Sequence, residues 1–201
     1  MRAHRRTTAR LLPLLALSLA LGGCVKFGAK PPPQLLTIAA TTAPTAGQVM
    51  NSTGKPVISV FAPDVPRSLE SLRVAVLEDA TSIAYVKKAQ WAETPRQMFR
   101  RVLAETIAAD GAVFVAEGEQ GVVLGARRLS GTLVEFGLDA RTREAVVTFD
   151  ATMTSATPGE ATRQRFTARV PVRKIEADRV AAPINEAANK VAADVAAWVK
   201  S

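Results

Sequence analysis

At 201 residues the chain has room for one hydrophobic core and is about the upper size for a simple single domain. Its only histidine is His4, and its only cysteine, Cys24, excludes an internal disulfide. The formal net charge of +8 is concentrated at the start. Without residues 1–23, Arg2, Arg5, Arg6 and Arg10 are lost, 22 basic residues face 18 acidic ones, and a charge of +4 carries no nucleic-acid signature.

Residues 1–23 read as a lipoprotein signal peptide. The four arginines precede an apolar run, Leu11 to Leu21, broken only by Pro13 and Ser18 and followed by Gly22 and Gly23. The run is half of the roughly 20 residues a membrane span needs, so the chain is expected to cross a bilayer without staying threaded through it. Leu21-Gly22-Gly23-Cys24 resembles the lipobox of bacterial lipoproteins. The resemblance implies cleavage before Cys24, a diacylglyceryl group on its thiol and acylation of the new amino group. At about 0.8 kcal/mol per buried methylene, two or three acyl chains make a lasting anchor. Residues 24–33, with Lys26, Lys30 and Pro31-Pro32-Pro33, read as a stiff tether. Residues 34–201 form the periplasmic domain.

Within that domain, residues 34–40 and 57–61 are strand candidates, separated by a Thr-, Gly- and Ser-rich loop over 41–55 and followed by Pro63 and Pro66. Residues 72–77 and 82–86 form a strand pair around Glu78-Asp79. Thr94, Pro95 and Gln97 compose a helix start with a capping box, and Phe99, Val102, Leu103, Thr106 and Ile107 recur at helical spacing until Asp110-Gly111. Short strands are expected over 113–116 and 121–125, and longer ones over 128–138, 144–154 and 163–172, with a turn at Pro158-Gly159. In the 144–154 strand Ala145, Val147, Phe149, Ala151 and Met153 share one face. Ile184, Ala188, Val191, Val195 and Trp198 make one apolar stripe along a C-terminal helix. Together the elements predict an α+β two-layer sandwich: a mainly antiparallel sheet carrying two amphipathic helices.

Once the leader is removed and Cys24 is acylated, the domain has no imidazole base, no Ser-His-Asp or Cys-His set and no soft zinc ligands. Ser52-Thr-Gly-Lys55 has the spacing of an S-x-x-K nucleophile motif, but it stands in a loop and not at a helix start. Asp110, Glu117 and Glu119 could gather around a hard metal, with a solvated loop the simpler reading. Gly118, Gly121 and Gly125 make no phosphate-binding pattern. No enzyme, cofactor or metal is expected.

Trp91-Ala92-Glu93-Thr94-Pro95 resembles the W-A-E-P-like element of the auxiliary lipoproteins of ABC-type transporters, the PqiC- or YmbA-like group. In that family the element opens a helix, after a lipobox and a first strand like Gln34-Leu-Leu-Thr-Ile38. A late strand pair like Leu133-Val-Glu-Phe136 with Ala145-Val-Val-Thr-Phe149 and a C-terminal amphipathic helix follow, and Thr94 is an insertion here. The resemblance spans most of residues 24–201. It implies an outer-membrane lipoprotein working with an MCE-domain protein, an ABC permease and an ATPase in lipid traffic, with self-association left open. Trp91, Glu93 and Pro95 are its candidate partner interface, Trp91 being otherwise a cap over the helix start. A structural or assembly lipoprotein partnering an outer-membrane barrel is the alternative.

Overall fold

The computed structural model describes residues 34–116, 125–155 and 159–201. The signal, Cys24 and the tether lie outside them, as do Glu117, Glu119, most of the 121–125 strand candidate and Pro158.

Seven strands form one mixed sheet: β1 (Val57–Val60), β2 (Arg73–Leu77), β3 (Ile83–Gln90), β4 (Phe114–Ala116), β5 (Arg127–Asp139), β6 (Glu144–Thr154) and β7 (Ala161–Pro171). Helix α1 (Pro95–Ala108) lies between β3 and β4, and α2 (Ala181–Lys200) closes the chain. The fold is therefore the α+β sandwich expected from the sequence. Among the described residues no helix is long and apolar enough to cross a membrane.

β5 is the spine. Along one edge it pairs with β6 in antiparallel register from Arg128↔Thr154 to Asp139↔Glu144, with a bulge at Val134, and β7 extends β6 from Thr154↔Ala161 to Glu144↔Pro171. Its other edge is shared. β1 runs parallel to its first residues (Val60↔Leu129), and β2 runs parallel to its last (Leu77↔Asp139). Between them the chain follows β5 through Asp64, whose N–H donates to Gly131 O and whose carbonyl accepts from Leu133 N, at 2.9 and 2.8 Å. The three long or hairpin pairings are antiparallel. The three short ones, β1–β4, β1–β5 and β2–β5, are parallel. Their returns require crossovers rather than tight turns.

Both helices lie on one face. The five inward residues of β6 are buried there beneath α2, and Phe99 of α1 stacks edge-on against Phe149 at 5.3 Å. Ile184, Ala188, Val191 and Val195 are buried as the stripe requires, and Trp198 lies 5.7 Å from Phe166 of β7. The capping box at Thr94 and Gln97 is present, with Gln97 Oε1 accepting from Thr94 N and Oγ1 at 3.3 and 2.8 Å.

Residues 34–40 differ from the expected strand. Leu36 and Ile38 are buried, but only Leu36 pairs, by one parallel bridge to Trp91: Leu36 N donates to Gln90 O and Ala92 N to Leu36 O, both at 2.8 Å. Beyond Ile38 the backbone turns to α2. Asn185 Oδ1 accepts from Ala39 N at 2.9 Å, while Asn189 Oδ1 accepts from Thr41 N at 2.7 Å and its Nδ2 donates to Ala39 O at 2.9 Å. Side-chain amides have taken the place of a ladder. β3 also runs longer than expected, to Gln90, because a bulge sets residues 86–89 against Val74 alone.

Candidate functional site

The face of the sheet opposite the helices carries the molecule's densest polar chemistry. Asp150 of β6 is buried, and both its oxygens are held by β7. Arg165 donates through Nε and Nη2 at 2.6 and 2.7 Å, and Arg163 through Nη2 at 2.9 Å. Hydrogen bonds from Arg165, with those from Arg163 and the charge of both, outweigh burial and lower its pKa to about 2. Asp139 at the end of β5 is clasped the same way by Arg141 (3.1 and 2.8 Å), and its pKa is lowered chiefly by that contact. Arg169 bridges to Glu144 at 3.2 Å, and Glu135 accepts from the Thr148 hydroxyl. These groups satisfy one another and provide a dense polar surface.

Beside this lattice runs an apolar groove of about 270 Å³ between the 3-10 turn Arg67–Leu69 and β5, lined by Leu69, Ala75, Leu77, Ile83 and Val146 with Glu135 at its margin. Ile83 is the exposed one, at 51%.

The Trp91-Glu93-Pro95 element resolves into separate environments. Trp91 is fully buried, its ring 5.6 Å from Phe136, and Pro95 is buried in the first turn of α1. Glu93 is half-buried. Both of its oxygens accept from Arg101 Nη1, at 2.9 and 3.0 Å, beside a shallow polar recess lined by Gln97, Arg100 and Glu105.

The other candidates are not brought together. Ser52 and Lys55 share a tight turn in which Lys55 N donates to Ser52 O at 3.1 Å. Asp110 pairs with Lys200 at 2.7 Å and also accepts from Ala112 N. Glu117 and Glu119 lie outside the described residues. Among the described residues no three carboxylate, imidazole or thiol groups converge.

The described residues thus join a mixed sheet, two helices on one of its faces and a lattice of paired carboxylates on the other. The chain belongs to the ABC-type transport auxiliary lipoprotein component family, whose model matches residues 36–196. A crystal structure of a Xanthomonas campestris protein of the DUF330 family shares the fold with a TM-score of 0.68 at 17% identity, over 83% of this chain and 95% of that one. An uncharacterized protein of known structure follows at 0.60 and 14% identity, over 83% and 97%. A PelC dodecamer from Paraburkholderia phytofirmans aligns at only 0.40 and 16% identity, over 81% and 99%. No curated protein matches the sequence.

Proposed function

We propose that this chain is the lipid-anchored, non-catalytic auxiliary subunit of an MCE-type ABC transport system. It is held by acyl chains on Cys24 at the outer membrane, facing the periplasm. There it docks an MCE-domain protein that, with its permease and ATPase, moves lipid between the membranes and maintains the envelope. Family membership across residues 36–196 carries this reading. The placement of Cys24 twelve residues before Leu36 supports it, since a lipobox there leaves the whole matched domain outside the bilayer. The half-buried Glu93–Arg101 pair, with Gln97 and Arg100, is the docking surface beside the buried Trp91 and Pro95.

The reading is tested in native cells. Mass spectrometry should find Cys24 diacylated at the mature N-terminus, and Cys24→Ser should release the protein from membranes. Affinity purification after crosslinking should recover the permease, ATPase and MCE protein. Glu93→Lys should lose them without changing the thermal midpoint, because a partly exposed ion pair contributes at most about 1 kcal/mol. Recovery of an outer-membrane barrel instead would replace this reading with that of an assembly lipoprotein.

A further inference from the structure

The bulge in β3 has a chemical consequence. It pushes Lys87 and Lys88 outward at the edge of the sheet, with Lys88 held at φ +61°, a left-handed conformation that L side chains resist. Val86 and Ala89, on either side, point inward and are buried, so the backbone is fixed while both ammonium groups face solvent. Neither lysine has a carboxylate partner among the described residues, whereas Arg163, Arg165 and Arg169 of β7 do. Arg73, opposite Gln90, adds a third cation, its guanidinium 3.8 Å over the ring of Tyr85. Bulges of this kind re-aim side chains at a sheet edge and are retained for a purpose.

The N-terminal segment reaches the fold at the same place. Leu36 N donates to Gln90 O, two residues beyond Lys88, and the Leu36–Trp91 bridge is parallel. Gln34 and Leu35 therefore enter the fold beside the bulge, with Leu35 left 55% exposed. Twelve residues separate Cys24 from Leu36, a reach of about 40 Å at full extension. Asn185 and Asn189 clamp the segment immediately after it, so the point where the described chain enters the domain is fixed against α2.

We infer that Lys87 and Lys88, with Arg73, form a membrane-facing surface that binds anionic lipid headgroups and sets the orientation of the domain on the bilayer. This rests on the anchored reading above. Each lysine close to an anionic bilayer multiplies the docked population about fivefold, and the contribution fades beyond a Debye length. The anchor holds the protein at the membrane, and the lysines choose which side of it faces the lipid. Carboxylates already engage Arg163, Arg165 and Arg169 of β7, and Arg127 donates to the carbonyl of Val199.

The experiment uses the acylated chain purified from native membranes, carrying Gln34→Cys for a nitroxide label, in vesicles of phosphatidylcholine alone or mixed with phosphatidylglycerol. Relaxation by nickel chelated to lipid headgroups reads how often the label meets the surface. The label should approach the headgroups on the anionic vesicles only. Lys87→Gln with Lys88→Gln should lower that population about twentyfold, and Lys87→Arg with Lys88→Arg should preserve it, all at an unchanged thermal midpoint. Equal approach on neutral vesicles, or indifference to the glutamines, overturns the inference and assigns the lysines to an acidic protein partner. An unmodified Cys24 in the same sample overturns the anchor alone, because the label's dependence on the two lysines still reads this surface.

Discussion

The ring of Trp91 lies 5.6 Å from that of Phe136 with the planes 57° apart, and both side chains are buried. Phe136 in turn touches Phe99, so the residue that precedes α1 is joined to the helix through the centre of the core. Trp91→Ala should cost about 3–5 kcal/mol, read as a fall in the urea midpoint. Trp91→Phe should cost well under half of that. It keeps an aromatic contact, and the indole Nε1 has no hydrogen-bond partner among the described residues to lose. A loss below 1 kcal/mol for the alanine variant would contradict the packing described.

Asp150 gives the acid limb of the stability curve. Its pKa is about 2 in the folded chain against an ordinary 3.8, lowered first by Arg165. A depressed carboxylate contributes stability that is complete above the unfolded value and is lost as pH falls through the folded one. The window is therefore about pH 4 down to pH 2. Because both guanidinium partners are mostly solvated, the contribution is about 1 kcal/mol. Thermal midpoints of Asp150→Asn should lie below the parent at neutral pH and converge with it near pH 2.

Asn189→Ala should release the segment that leads into the domain. The substitution strips the carbonyl of Ala39 and the amide of Thr41 of their partners, at a cost of about 1–2 kcal/mol. Amide exchange at Ala39 and Thr41 should accelerate far more than at β6. Uniform acceleration would mean that the clamp is not a local fastening.

Much of this architecture can be read from local chemistry. Thr94-Pro95 with Gln97 marks α1, the Ile184-to-Trp198 stripe marks α2, and alternation in β6 marks its buried face, because each is set by neighbours within a few turns. Residues 34–40 mislead because Leu36 and Ile38 alternate like a strand, while the backbone of Ala39 just after them is held by Asn185 and Asn189, about 150 positions away. The parallel joins of β1 and β2 to β5 are hidden for the same reason. The Asp150 clasp could have been found. Asp150 interrupts the threonine side of β6, and Arg163 and Arg165 alternate on the next strand, so only the register was missing. In the Trp91 element, sequence alone left cap and contact surface in balance, and burial against a phenylalanine 45 residues later decides where the indole sits.

Gly131 is the least replaceable residue of β5. At φ +150° it lies where a Cβ would overlap the Asp150 carbonyl oxygen and press on Phe149, both belonging to the paired strand. Backbone cannot yield as a flexible side chain would. Gly131→Ala should therefore destabilise by more than 3 kcal/mol or prevent soluble expression, whereas Gly159→Ala, with open space around its Cβ, should cost about 1 kcal/mol. Comparison of the two by circular dichroism melting separates collision from backbone preference.

Because β5 serves β1 and β2 on one edge and β6 on the other, neither β1 nor β2 can complete its ladders until β5 is available. A polypeptide made from its N-terminus can therefore close only the β2–β3 and β1–β4 pairings until its last third joins them into one sheet. A chain that cannot close its whole sheet early stays easy to thread through a narrow passage, a useful temperament for the export proposed above.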